Sequence, residues 1–64
     1  MEGIELKKLR EENNVKQTEL AEFLGYMNGD VPNKSMISRF ENGYAKINPR
    51  VEKLINLYFK ERGL

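Results

Sequence analysis

No cysteine and no histidine occurs in these 64 residues. A chain this short buries only roughly 60% of the surface its unfolded form exposes, and domains of that size usually need a staple. Disulfides are excluded here, and so is a zinc site built from the usual ligands. Stability must therefore come from close packing of helices. The punctuation agrees: Pro32 and Pro49 and the glycines at 3, 25, 29, 43 and 63 interrupt patterns of helical period. No run alternates as a half-buried strand does. The expected fold class is all-α, in a single domain over residues 1–64. No apolar run approaches the length of a membrane span, and Met1 leads into a charged stretch rather than a signal peptide. The chain reads as a cytoplasmic protein with no membrane partner.

Four helices are expected. The first runs from about Gly3 to Asn13, with Leu6 and Leu9 facing inward and Arg10 beside them. Asn13-Asn14 ends it, and Val15 re-enters the core. The second runs from about Gln17 to Leu24, with Leu20, Ala21 and Leu24 inside, Phe23 at the edge and Gly25 as the stop. In the connector, Asn28-Gly29 signals a turn, Asp30 or Asn33 is placed to cap the next helix, and Pro32 suits a first turn. A calcium loop is excluded there, since the spaced acids and closing glutamate it needs are missing. The third helix runs from Lys34, or from as early as Val31, to Asn42, and Gly43 ends it. The fourth opens at Pro49 behind an Asn48 cap and runs to about Arg62, with Val51, Leu54, Ile55 and Tyr58 inside. Leu57 and Phe59 widen its apolar arc beyond what one small core needs, and with Leu64 they form a candidate dimer contact.

The third helix has two unlike sides. At 100° per residue, Ile37, Phe40, Glu41 and Tyr44 share one side. Ser35, Ser38, Arg39 and Asn42 share the other, with Lys34 at its margin. A merely solvated helix more often carries Glu and Lys at such positions. Short hydroxyls, an amide and a forked guanidinium instead suit hydrogen bonding to base edges and phosphates. Net charge is only +1, but residues 1–30 carry −3 and residues 31–64 carry +4, so the second half is the one to face an anionic partner. Glu41 lies at the buried margin, where an unpartnered carboxylate is costly. Arg10 occupies the matching margin of the first helix, so the two are expected to form a bidentate structural pair.

LKKLREENNVKQTELAEFLG followed by SMISRFENG resembles the phage repressor and Cro type of helix-turn-helix domain, the XRE family, over roughly residues 4 to 58. The strongest words are QTELAEFLG, ISRFENG and the Pro49 that opens the following helix. The resemblance implies a compact lambda-repressor-like domain of four or five helices, whose third helix, about 34–42, enters the DNA major groove. By position it makes Lys34, Ser35, Ser38 and Arg39 base-contacting candidates. Gln17 becomes a phosphate contact that also braces the start of the third helix, and Asn42 and Lys46 become phosphate contacts beyond it. Three departures stand out. The connection between the second and third helices is lengthened by about six residues over the family's tight turn; a longer third helix would add Asn33 to the base-contacting set, or else Tyr26 or Met27 would cover Phe23. Lys16 stands where a serine or threonine cap is usual, and is assigned a phosphate contact in exchange. Many relatives use a fifth helix or a second domain to dimerise, and neither is expected within these 64 residues.

The expected function is sequence-specific binding of a double-stranded DNA operator by a small transcriptional repressor, as a homodimer on DNA, with no cofactor, metal or small-molecule ligand. The rival reading on the same fold is a protein-interaction module, antitoxin-like or an inhibitor of a host protein. An enzyme is not expected: histidine and cysteine are absent, and neither Ser35 nor Ser38 has a general base near it in sequence.

Overall fold

The computed structural model of the chain describes residues 1–62. Along it run α1 (Gly3–Glu12), α2 (Gln17–Leu24), β1 (Met27–Asn28), β2 (Val31–Pro32), α3 (Ser35–Glu41) and α4 (Pro49–Glu61). Leu6, Val15, Leu20, Ala21, Ile37, Phe40, Ile55, Tyr58 and Phe59 form one buried cluster to which all four helices contribute.

The first three helices end in the same way. After each, one residue takes the left-handed conformation: Asn14 at φ +55°, Gly25 at φ +83° and Gly43 at φ +80°. The chain then folds back on the last turn. Val15 N–H reaches Arg10 O at 2.9 Å, Tyr26 N–H reaches Ala21 O at 2.9 Å, and Tyr44 N–H reaches Arg39 O at 2.9 Å. Paired with the bonds that span three residues, Asn14 N–H to Glu11 O, Gly25 N–H to Glu22 O and Gly43 N–H to Phe40 O, these are Schellman closures. At the other end of α4, Asn48 Oδ1 accepts from Val51 N–H at 2.9 Å, with Pro49 at the first helical position. Lys16 lacks a capping oxygen, and the Glu19 carboxylate instead reaches back to its N–H at 3.4 Å.

The connector between α2 and α3 departs from an all-α fold. It is an antiparallel hairpin pairing Met27 with Pro32 and Asn28 with Val31. Gly29, at φ +66°, takes the first central turn position, which a two-residue hairpin reserves for a residue free to enter that region. Asn33 N–H donates to Tyr26 O at 2.8 Å, which closes the base of the excursion. Val31 and Pro32 are thus strand residues and do not extend α3. Tyr26 turns to Phe40, with ring centroids 6.2 Å apart, and leaves Phe23 to the edge of Tyr58 at 5.0 Å.

Two inward assignments on α3 and α4 are corrected. Tyr44 is 79% exposed, because the left-handed turn at Gly43 redirects the chain before the helical phase could carry it inward. On α4 the core takes Phe59, which is 4% exposed, and leaves Leu54 at its rim. Phe59 is therefore removed from the candidate dimer contact, Leu57 stays on the surface, and Leu64 lies outside the described residues.

Candidate nucleic-acid interface

The placement of α3 begins with Gly3. A Cβ added there would lie 1.8 Å from the carbonyl oxygen of Phe40, so only glycine lets the start of α1 approach the end of α3 this closely. Ile37 and Phe40 then fill the space between helices, and Glu41 is buried beside them. A buried carboxylate needs charge and hydrogen-bond donors around it. Arg10 Nε donates to Glu41 Oε2 at 2.7 Å, and Arg10 Nη2 to Oε1 at 3.0 Å. Gln17 Nε2 donates to the same Oε1 at 3.0 Å, and Arg10 Nη1 to the carbonyl of Val15 at 3.0 Å. The hydrogen bond to Glu41 holds the guanidinium above its ordinary pKa. One carboxylate thus ties together α1, the start of α2 and the end of α3. Gln17 braces the end of α3 rather than its start.

With its inner edge fixed, α3 turns its other side outward. Ser35, Arg39 and Asn42 are exposed, and Ser38 is half-buried. Asn42 Nδ2 donates to the Ser38 carbonyl at 2.9 Å and to its hydroxyl at 3.2 Å, so these two side chains form a local unit. Asn33 lies outside the helix and caps it, its Oδ1 accepting from Ser35 N–H at 3.0 Å. Lys34 follows as the boundary residue. It lines an open cleft of about 430 Å³ with Arg10, Lys16, Gln17 and Thr18. The unpaired N–H groups of the first turn of α2 belong to this region. Lys34 is grouped here with the residues assigned to phosphate, Lys16 and Gln17. Thr18 is a residue the sequence reading passed over, although a hydroxyl in the first turn of a helix beside a lysine was visible in Lys16-Gln17-Thr18. Lys46 is exposed in the connector after α3 and lines a separate cleft with Gly3, Phe40 and Gly43. Among the described residues, Lys16, Lys34, Arg39 and Lys46 make no ion pair with a carboxylate. Their charge is available to an outside anion.

The arrangement is two helices joined across a connector, the second held by its inner edge and offering donors outward. A helix-turn-helix family model matches residues 6–57, and the chain belongs to that family, of the XRE type. Membership places it among DNA-binding transcription regulators. No curated protein and no solved structure matches the chain. No helix among the described residues is long and apolar enough to cross a membrane.

Proposed function

We propose that the chain is a sequence-specific repressor that lays α3 in the major groove of its operator. The observation that carries this reading is the outward side of α3, polar and basic, on a helix whose opposite edge is fully committed to the core. Arg39 grips a guanine through O6 and N7, the commonest specific contact in the major groove. Ser35 and Ser38 reach neighbouring base edges or phosphates. Lys34 and Asn33 stand at the end of the helix that leads into the groove. Lys16, Thr18 and the first N–H groups of α2, Gln17 among them, hold one stretch of phosphate. Asn42 and Lys46 hold another beyond the far end of α3. Contacts of this second kind set position and affinity, and those of the first kind set sequence. Occupancy of a promoter then blocks transcription.

Enrichment from a randomised duplex library at near-physiological salt tests the proposal. The expected result is a short motif containing a guanine. Salt-sensitive retention of all sequences alike would overturn it.

The hairpin favours a second reading. Met27 and Val31 are 41% and 64% exposed on an excursion close to α3, and net charge is near zero for a dedicated nucleic-acid binder. A protein-interaction module would use that hairpin, and would bind duplex DNA weakly and without sequence preference.

A further inference from the structure

We propose that Asn28 is a self-modifying residue. Its side-chain amide closes on the backbone nitrogen of Gly29 and converts to aspartate and isoaspartate, while the fold holds the same pair at Asn42-Gly43 inert. Only these two asparagines are followed by glycine. Glycine matters because it has no Cβ to shield the nitrogen that attacks. Gly29 N gives up its proton and bonds to Asn28 Cγ. The Cγ–Nδ2 bond breaks, and the amide nitrogen leaves as ammonia. One water then opens the five-membered imide at either of its carbonyls. Opening at Cγ gives aspartate. Opening at the main-chain carbonyl gives isoaspartate, in which the main chain runs through the former side chain. The sum is one amide and one water going to one carboxylate and one ammonium ion.

The two pairs share this chemistry, and their hydrogen bonds separate them. Both asparagines and both glycines are exposed, and beyond the chain neighbours no atom lies within 4 Å of where a Cβ on either glycine would stand. Crowding therefore protects neither pair. Asn42 Nδ2, which would have to leave, donates to the Ser38 carbonyl at 2.9 Å and to its hydroxyl at 3.2 Å. Gly43 N–H, which would have to lose its proton, donates to Phe40 O at 3.2 Å. Ring closure at Asn42 must therefore undo the end of α3. Among the described residues, neither the Asn28 side chain nor the Gly29 N–H makes a hydrogen bond. The product matters because of where it forms. Isoaspartate adds one methylene to the main chain at the residue paired with Val31, so the hairpin loses its register. Asn33 is the next link. Its N–H closes the hairpin on Tyr26 O at 2.8 Å, and its Oδ1 caps α3 at Ser35 N–H at 3.0 Å. A hairpin out of register therefore loosens the start of α3. Either product also brings the net charge from +1 to zero. The chemistry stands apart from the operator reading, on which only an effect on DNA binding would rest.

Ageing of the purified chain at physiological temperature and pH, followed by tryptic peptide mapping with mass spectrometry, tests the site. Cleavage after Lys16, Lys34, Arg39 and Lys46 puts Asn28 and Asn42 in separate peptides, residues 17–34 and 40–46. The expected result is conversion in the first peptide roughly tenfold or more faster than in the second, because each hydrogen bond given up at Asn42-Gly43 slows closure there. In denaturant both pairs are released, and the two rates should agree to within about threefold. Asn28→Gln, whose closure would need a six-membered ring, should remove nearly all conversion from the first peptide and so separates Asn28 from Asn33. The isoaspartate form, isolated chromatographically, should melt below Asn28→Asp, which carries the same charge on an unaltered main chain. Equal rates at Asn28 and Asn42 in the folded chain overturn the proposal. So does a difference that persists in denaturant, since neighbouring sequence rather than the fold would then set it. Equal melting temperatures for the isoaspartate form and Asn28→Asp overturn the link to α3.

Discussion

The inner and outer sides of α3 differ in how many partners each residue has. Inside, Glu41 accepts three hydrogen bonds from two side chains, and Ile37 and Phe40 are sealed by all the neighbouring helices. Outside, the Arg39 side chain has no partner among the described residues, and Ser38 and Asn42 satisfy mainly each other. One helix of seven residues thus carries a fully determined edge and an uncommitted one. The inner edge sets the angle of the helix, and the outer edge is left free to be read against a ligand. Substitutions on the two sides should separate cleanly into losses of stability and losses of binding.

The largest effect is expected on the inner side. Arg10→Ala leaves the buried Glu41 carboxyl group short of two donors, and should cost about 3–5 kcal/mol of folding stability. Thermal unfolding monitored by circular dichroism checks this, and a loss no larger than that of Lys7→Ala would break the contrast. Gly3→Ala comes next. Its methyl meets the backbone at Phe40 rather than a flexible side chain tip, so α1 or α3 must shift, at about 1–3 kcal/mol in the same assay.

On the outer side the melting temperature should barely move. Arg39→Ala should cost about 1–3 kcal/mol of operator binding, measured by fluorescence anisotropy, while changing stability by no more than about 0.5 kcal/mol. Lys46→Ala should have the smallest effect. It should weaken all duplexes alike and lower the slope of log affinity against log salt by about one unit.

Much of the inner side was legible in the sequence because it rests on local rules. The helix stops follow from Asn13-Asn14, Gly25 and Gly43, residues that enter the left-handed region at low cost. Arg10 and Glu41 were reachable from helical phase alone, since each directly follows a residue packed on the core, Leu9 partly buried and Phe40 buried. Gly3 was not legible, because its neighbour is a carbonyl 37 positions away in the chain. The hairpin escaped for a different reason: strands of two residues are too short to show alternation, and the bond that closes it joins backbone groups of Tyr26 and Asn33, which carry no signature. Phe59 was misassigned although it follows Ile55 by four. The apolar arc of α4 is wider than the core it serves, and phase does not say which of its edges is left over.

For the outer side, the sequence names candidate residues. The most direct test pairs a residue with a base. Affinities of the original chain and of Arg39→Ala are compared on an enriched duplex and on the same duplex with its guanine replaced. The account predicts that the original chain loses about 1–3 kcal/mol on the replaced duplex and that Arg39→Ala loses almost nothing further, a coupling between one side chain and one base. Equal losses for both proteins on both duplexes would contradict it, and would mean that the outer side of α3 does not read sequence.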